Sequence, residues 1–369
     1  MNTEYGRVIA ASEEDRRALF ATSARRVGTT EQNIEKDFWV CWTLDALFRR
    51  LPPGGPRLLF KGGTSLSKAF GLINRFSEDI DITVFRSDLG ESASLDELEA
   101  LSGKKQRARL DAIKEACQHY IHSELHQQLV TVFADFLRGA GQPVDSGSVE
   151  PDPSDGDGQT LLVRYPSVVR HADPYVRPSV RIESGAKSAL DPHVSATVTP
   201  YVAADLQSGD LAVTGVTTIE PARTLWDKVI ILHGLRHWFE MRGELRQEGQ
   251  RVSRHYYDVH LLCASAAGRA ALIDRALGAE CARHARMFFD RPDLDLAAAA
   301  PGSFALSPAA AMRDRLEHGR HDLRRGAGLR RDHGFGPRSR TTAQSAGALK
   351  RGRTFRPQAP QATIGTPSQ

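Results

Sequence analysis

The feature that most constrains the fold is a short segment in which polar and apolar residues alternate strictly. In residues 79–84, two isoleucines and a valine alternate with two aspartates and a threonine. Successive side chains of a strand point to opposite faces, so this pattern predicts a half-buried strand with Asp79 and Asp81 on its polar face. Two carboxylates on one face can both reach Mg²⁺ or Mn²⁺. The segment therefore predicts a sheet that carries a candidate metal site.

A glycine turn precedes this strand. The apolar run at residues 57–60 predicts an earlier strand, which leads directly into Lys61 and then a turn that opens a short helix. A Gly-Gly turn lets backbone N–H groups and hydroxyls approach a phosphate closely, and the start of the helix favours negative charge. Turn and carboxylates together predict a triphosphate site. The turn residues are Gly62, Gly63, Thr64 and Ser65.

Each of these motifs alone is a weak signal. A pair of aspartates on an exposed strand is most often solvated charge, and a pair of glycines is most often only a turn. The combination is more specific, because neighbouring like charges cost free energy unless a cation compensates them.

If the bound triphosphate donates a group to an acceptor hydroxyl, the site usually needs a third carboxylate on a neighbouring strand. Residues 179–184 predict a strand whose polar face carries Arg181 and Glu183. Glu183 is the candidate for the third metal ligand or the base that deprotonates the acceptor. A pairing with Arg181, or plain solvation, explains Glu183 about equally well.

Periodicity along the rest of the chain predicts an α/β (α+β) protein with a mixed sheet followed by a helical C-terminal domain. Three regions are expected: 1–215 with an inserted loop at 143–160, a helical domain at 216–318, and a basic low-complexity tail at 319–369. Helices are predicted at 12–27, 31–50, 93–138, 219–240, 254–264 and 267–289, and further strands at 161–165 and 196–200.

These residues resemble the AbiEii/AbiGii-type nucleotidyltransferase toxins, within the DNA polymerase β-like nucleotidyltransferase superfamily. Five blocks in the same order carry the resemblance, and they lie at 34–40, 60–66, 75–81, 220–228 and 253–258. The resemblance implies a polymerase β-like core and transfer of a nucleotide from an NTP, a reaction of the EC 2.7.7 type. It also implies a place in a bacterial toxin–antitoxin or abortive infection system used in phage defence.

The resemblance also implies roles for individual residues. The first motif of the family falls on the glycine turn and the aspartate strand, for phosphate and metal. The later lysine of the family falls on Lys228, and its later aspartate on Asp258. Implied partners are an NTP, an RNA acceptor such as tRNA, and a cognate antitoxin.

Helical spacing gives these two outlying residues moderate support. Lys228 lies on the flank of an apolar stripe, which aims it toward protein and allows it to reach a triphosphate. The alternative is a lysine at the boundary whose stem alone is buried. Asp258 also faces inward, near the nucleotide or the attacking hydroxyl, and its alternative is an i, i+4 ion pair with Arg254.

The charge of the chain is divided unevenly. Residues 319–369 hold ten arginines and one lysine against two aspartates, a net charge of +9, whereas the other 318 residues hold 38 basic and 43 acidic residues, a net charge of −5. The composition of the tail cannot bury enough apolar surface to order it. Either this tail tethers RNA through phosphates, or it is the degraded end of a gene whose relatives continue with helices.

Other classes of protein are excluded by simple features. The N-terminus lacks the charged and apolar regions of a signal peptide, so we expect a cytoplasmic protein that does not span a membrane. Four widely spaced cysteines fit a reducing compartment without structural zinc. No histidines have the spacing of a dependable metal ligand set.

The sequence thus supports one hypothesis and two alternatives. In the main hypothesis, an acceptor hydroxyl on RNA or protein attacks the α-phosphate of an NTP, with Mg²⁺ held by Asp79 and Asp81. The first alternative is a glycosyltransferase that uses its paired aspartates to bind a sugar nucleotide through a metal. The second is an inactive protein that binds RNA through its tail.

Overall fold

The computed structural model describes residues 3–77, 79–169, 177–206, 210–247 and 249–316. Among them, seven strands form one sheet: β1 (Leu58–Lys61), β2 (Ile80–Val84), β3 (Ser148–Pro151), β4 (Thr160–Arg164), β5 (Ser179–Glu183), β6 (His193–Val198) and β7 (Val213–Ile219). Their order across the sheet is β3-β4-β5-β2-β1-β7-β6.

The centre of the sheet mixes strand directions. β2 lies between β1, with which it pairs antiparallel, and β5, with which it pairs parallel. β1 also pairs parallel with β7. Both faces of β2 are largely buried, as expected for a strand with parallel and antiparallel neighbours. The predicted α/β fold with a mixed sheet followed by helices is confirmed.

Eleven α-helices surround or follow the sheet in the described part of the chain. They are α1 (Thr3–Ala10), α2 (Glu13–Val27), α3 (Glu31–Asp45), α4 (Gly62–Lys68), α5 (Leu95–Glu99), α6 (Gly103–Tyr120), α7 (His126–Gly139), α8 (Pro221–Arg242), α9 (Gly249–Ala264), α10 (Ala266–Ile273) and α11 (Arg275–Phe289). None of them is both long and apolar enough to cross a lipid bilayer.

Two of the predicted helices are divided. The helix expected at 93–138 contains a break after α5, which begins at Ser94 with a reciprocal capping box to Glu97, and the chain re-enters a helix only at Gly103. The helix expected at 267–289 is interrupted at Asp274, whose side chain accepts a hydrogen bond from the Leu277 N–H and so begins α11. Asp274 thus ends α10 and caps the start of α11.

Two strands and one helix were not predicted. β3 lies inside the segment expected to be the loop 143–160, so that expectation is wrong for residues 148–151. β7 was missed because Gly215 has a φ of +76° and a register shift lies opposite it between Ala196 and Val198, which breaks the alternation. α1 was missed because only eight residues form it.

The larger hydrophobic core is built on aromatic rings from α3 and α7. Trp39 and Trp42 are fully buried and pack against Phe133 and Phe136, with ring centroids 4.8–6.0 Å apart. Such pairs contribute beyond the area that they bury. These rings hold α3 against α7.

A second core connects the glycine-turn helix to the C-terminal helices. Leu66 of α4 and Ile73 belong to the same buried cluster as Leu225 and Val229 of α8. Because α4 directly follows β1, this cluster fixes the position of α8 relative to β1 and its neighbour β2. The site residues described below depend on that packing.

Buried charges also join α3 to α4. Nζ of Lys68 lies 2.6 Å from Oδ1 of Asp37, and both side chains are at most 5% exposed. The ring of Tyr201 lies 3.9 Å from the same ammonium group. Glu35 accepts a hydrogen bond of 2.8 Å from the Val168 N–H. The sequence block at 34–40 thus has a structural role, because its charged side chains join α3 to α4 and to the segment that contains Val168.

The described elements all belong to one unit, Met1–Ala327. The predicted boundary between 215 and 216 falls inside β7. The division into a nucleotidyltransferase domain and a helical domain stays a prediction. The tail predicted at 319–369 lies outside the described residues.

Candidate active site

Gly62 places the backbone of the turn directly against the carboxylate of Asp81. Lys61 at the end of β1 is the register partner of Asp81, so the residue that follows lies beside the Asp81 side chain. Gly62 has a φ of +83°, and a Cβ atom there would overlap Oδ2 of Asp81. Both the left-handed backbone and the close approach require glycine.

Gly63 makes a second close approach. A Cβ atom at this position would overlap Nη2 of Arg75 and lie 3.3 Å from Oγ of Ser77. The turn therefore has a carboxylate on one side and a guanidinium group on the other. The position of Arg75 and Ser77 just before the aspartate strand allows two interpretations from the sequence, contact with phosphate or a structural role in the turn.

Thr64 and Ser65 are buried in the turn, and their hydroxyls are hydrogen bonded within it. Oγ1 of Thr64 lies 2.8 Å from Oγ of Ser77 and also donates to the backbone oxygen of Asp79. Oγ of Ser65 donates to the backbone oxygen of Gly62 at 2.9 Å. These bonds connect the turn to the start of β2. Direct contact of the two hydroxyls with phosphate stays a prediction.

The carboxylates of β2 and β5 lie in one row across the sheet. Asp81 is the register partner of Glu183 on the parallel neighbour β5, and Lys61 lies on the other side of Asp81. Register partners point to the same face of a sheet. Asp79 lies two residues before Asp81 and is also half-buried. The strand register thus brings the predicted third carboxylate next to the predicted metal ligands.

The electrostatics of Glu183 fit a site for a divalent cation. Burial raises the pKa of Glu183, and the charges of Asp81 and Asp79 raise it further. Arg181, 3.4 Å away, acts in the opposite direction. Crowded carboxylate oxygens are the ligands that Mg²⁺ prefers, and a cation would relieve their repulsion. The oxygen-donor chemistry of Asp79, Asp81 and Glu183 therefore suits a metal ion of this kind.

Two C-terminal helices add a buried ionic cluster next to the turn. Nζ of Lys228 on α8 lies 2.9 Å from Oδ2 of Asp258 on α9. Arg75 donates from Nε to Oδ1 and from Nη2 to Oδ2 of the same carboxylate, both at 2.8 Å. Asp258 is fully buried and Lys228 is 7% exposed. Asp258 therefore pairs with these two cations, and the structure shows no pair with Arg254, the alternative suggested by helical spacing.

The paired cations control the protonation of Asp258. Burial alone would raise its pKa, but the hydrogen bonds from Arg75 and the charge of Lys228 outweigh burial and lower it. Asp258 is therefore a carboxylate at neutral pH. Both of its oxygens are already engaged.

His255 is a residue of this region that sequence reasoning did not assign. It lies one turn before Asp258 on α9, and burial, with the charge of Lys228, lowers its pKa to about 3. The imidazole is therefore neutral. Its buried Nδ1 has no hydrogen-bond partner among the described residues. Its i, i+3 spacing from Asp258 is the signal that could have found it.

A histidine cluster farther along α8 has a structural explanation. Ligand atoms of His233, His237 and Asp295 lie within 4.8 Å of one another. However, Nδ1 of His233 accepts from the Ala305 N–H at 3.1 Å, so Nε2 carries the proton and donates to the backbone oxygen of Asp295 at 3.0 Å. Both ring nitrogens of His233 are thus used in packing the chain after α11.

Comparison with known protein families shows which family this chain belongs to. Residues 45–338 match the family model described as nucleotidyl transferase AbiEii toxin, type IV toxin–antitoxin system. The chain belongs to the AbiEii family. Its members are nucleotidyltransferase toxins, and the resemblance of the sequence motifs is confirmed.

The AbiEii match covers the glycine turn, the aspartate strand, Glu183, Lys228 and Asp258. It begins after the sequence block at 34–40 and ends inside the predicted tail. The individual roles of these residues stay predictions.

Among solved structures, the AbiEii-family chain is similar to MenT4, a nucleotidyltransferase toxin from Mycobacterium tuberculosis H37Rv. The two are 16% identical, the alignment covers 82% of this chain and 98% of MenT4, and the TM-score is 0.32. No curated protein sequence matches the chain significantly.

Proposed function

We propose that this AbiEii-family protein uses Mg²⁺ to transfer a nucleoside monophosphate from an NTP to a hydroxyl of RNA, such as tRNA. The observation that carries the proposal is the register of Asp81 with Glu183, directly beside the glycine turn. A paired-aspartate glycosyltransferase would share the aspartates but does not need this turn.

Asp79 and Asp81 would hold the metal ion, with Glu183 as a third ligand. A bound divalent ion supplies Lewis acid stabilisation of the charge that develops on the phosphates. The strand pairing supplies the geometry, because it holds the backbones of Asp81 and Glu183 side by side with their side chains on the same face of the sheet.

As the alternative to ligating the metal ion, Glu183 would act as the base of the proposed reaction. Burial is the largest cause of its raised pKa, and a raised pKa makes it a better proton acceptor than an ordinary glutamate. It would take the proton of the acceptor hydroxyl as the oxygen bonds to the α-phosphorus. The bond from the α-phosphorus to the oxygen that bridges to the β-phosphate breaks, and pyrophosphate leaves.

The triphosphate would lie against the glycine turn. Close approach is available there because Gly62 and Gly63 carry no side chains. Lys228 would contact the β- or γ-phosphate as a point charge, from a position that the α4–α8 core holds close to the turn. Thr64 and Ser65 keep the turn in shape through their hydrogen bonds.

An RNA acceptor is supported by exposed arginines, one of them near the site and another beside an aromatic ring. Arg251 on α9 is exposed and lies close enough to Glu183 and His255 to affect the pKa of both. The guanidinium of Arg246 lies 5.4 Å from the ring centroid of the partly exposed Trp238. Arginines beside an aromatic ring suit phosphates and stacked bases. The +9 charge of residues 319–369 would add affinity that falls with salt.

The proposal includes an antitoxin as the cellular partner, because the family belongs to type IV toxin–antitoxin systems. Co-expression of the neighbouring open reading frame in the native operon should restore growth if this protein is toxic to its host. A growth defect that needs Asp81 would connect toxicity to the site.

The test of the activity uses purified full-length protein with Mg²⁺, each α-³²P-labelled NTP in turn, and total bacterial RNA. Asp81→Asn is the inactive control, and Asp157→Asn is the matched control, because Asp157 is an exposed aspartate paired with Lys114. We expect label on RNA with wild type and Asp157→Asn, and at least about 100-fold less with Asp81→Asn.

The molecule that becomes labelled identifies the acceptor. The NTP that gives the label identifies the nucleobase that is transferred. Label on protein in place of RNA would contradict the RNA acceptor. No label with any NTP, from a sample with a normal circular dichroism spectrum, would contradict the proposed activity.

A further inference from the structure

Arg75 and Asp258 form the most regular ion pair near the glycine turn. Nε and Nη2 of Arg75 each donate a hydrogen bond of 2.8 Å to a different oxygen of Asp258. The two residues are 183 positions apart in the sequence. This fork fixes the plane of the guanidinium group, which is the geometry that a lysine cannot reproduce.

The charges of this cluster do not balance. Arg75, Lys228 and Asp258 together carry a net charge of +1, because one carboxylate is shared by two cations. The three side chains are 19%, 8% and 0% exposed. Buried charges are costly unless they are paired, so the excess positive charge favours an anion beside the cluster.

One edge of the guanidinium group packs directly against the glycine turn. Nη2 of Arg75 lies where a side chain at Gly63 would begin, and Ser77 borders the same space. Because glycine allows this close packing, a ligand bound at the turn would lie beside the guanidinium group. A phosphate group has the charge and the acceptor oxygens for this place.

We propose that Arg75 contacts the triphosphate of the nucleotide directly, and that Asp258 is a positioning residue that orients Arg75 and Lys228 toward it. This inference rests on the proposed function, because it assigns residues to the triphosphate of that same site. It gives Asp258 no contact with the nucleotide, since Arg75 and Lys228 occupy both of its oxygens.

The proposal is tested by binding of inorganic tripolyphosphate to the full-length protein, measured by isothermal titration calorimetry at fixed ionic strength. The variants are Arg75→Met and Arg75→Lys. The matched control is Arg57→Met, because Arg57 makes the same two-bond fork with an aspartate, Asp88, at the far end of β1. Circular dichroism melts establish the folded fraction of each sample.

We expect Arg75→Met to weaken tripolyphosphate binding by about tenfold or more, Arg75→Lys by less, and Arg57→Met not measurably. An Arg75→Met protein that is folded and binds as tightly as the control would overturn the contact. If Arg75→Met does not fold, the decision passes to Arg75→Lys. Binding by Arg75→Lys equal to that of the control then overturns the proposal, and weaker binding supports it.

The role of Asp258 is tested by the direction of the change in Asp258→Asn. Removal of a negative charge next to the anion should tighten binding if charge alone matters. Loss of the fork should weaken it if Asp258 positions the cations. Weaker binding by folded protein supports the positioning role, and equal or tighter binding overturns it.

This measurement is independent of turnover. Tripolyphosphate binding requires neither an acceptor nor transfer, so a wild type that binds tripolyphosphate but labels no acceptor would contradict the proposed function alone. A wild type that labels RNA while Arg75→Met binds normally would contradict this inference alone.

Discussion

Asp81 on β2 and Glu183 on β5 are register partners on adjacent parallel strands, so their carboxylates project from the same face of the sheet. They are 102 positions apart in the chain. Burial, followed by the charges of Asp81 and Asp79, raises the pKa of Glu183. The arrangement stores repulsion that a divalent cation would remove.

The repulsion predicts the effect of Glu183→Gln. Without divalent ions, the variant should melt about 1–2 °C higher than wild type, because an uncharged side chain removes the repulsion from Asp81 and Asp79. Added Mg²⁺ should stabilise wild type more than the variant, and the label transfer should fall. Differential scanning calorimetry with and without Mg²⁺ measures the first two effects. Glu150→Gln, on β3 and paired with Arg164, is the control that should gain no stability.

The glycine turn predicts a large effect of Gly62→Ala. A left-handed backbone costs a residue with a Cβ about 1–2 kcal/mol, and here the added atom also displaces the Asp81 carboxylate. We expect a loss of about 2 kcal/mol or more in the free energy of unfolding, together with loss of activity. Gly54→Ala provides the comparison, because Gly54 has a φ of +90° with open space around it. In denaturant titrations, the free energy of unfolding of Gly54→Ala should fall only by the cost of the left-handed backbone. Its nucleotide transfer activity should equal that of wild type.

The buried pair between α3 and α4 predicts a stability effect for Lys68→Met. The change leaves the buried Asp37 carboxylate without its cation, which typically costs about 3–5 kcal/mol. Lys114→Met should change stability by about 1 kcal/mol or less, because its partner Asp157 is exposed. Urea unfolding of both variants provides the measurement, and equal losses would contradict the role of the buried pair.

His284 predicts how stability depends on pH. Burial, with the charges of Arg223 and Arg86, lowers the pKa of His284 to about 3. Because the unfolded chain takes up a proton near pH 6.5 and the folded chain does not, His284 makes the protein less stable as pH falls from 6.5 toward 3. His284→Phe should stack on Phe288 and show a shallower loss of stability between pH 6.5 and 4.5. Thermal melts between pH 6.5 and 4.5 measure how steeply the melting temperature falls with pH. The control His119→Gln, at an exposed position, should show the same dependence as wild type.

Local sequence patterns predicted the parts of the site that lie close together in the sequence. The alternation at 79–84 correctly predicted β2, because strand geometry dictates such alternation. The common face of Asp79 and Asp81 stays a prediction, since β2 begins at Ile80. The turn at Gly62 was predicted because only glycine tolerates such a close approach. The same patterns could not place β7, since Gly215 interrupts its alternation.

Partners distant in sequence were not predictable in this way. Helical spacing offered Arg254 as the partner of Asp258, whereas packing of Leu66 against α8 and α9 supplied Arg75 and Lys228. The neutral state of His255 likewise depends on burial among groups from several elements.

The sequence by itself determined the strand, the turn and the family, because alternation, glycine and motif order are properties of neighbouring residues. Only the tertiary structure decided that Glu183 lies beside Asp81 and that two cations share Asp258. The physical reason is that register and core packing join segments more than a hundred residues apart, and the charges meet only where burial brings those segments together.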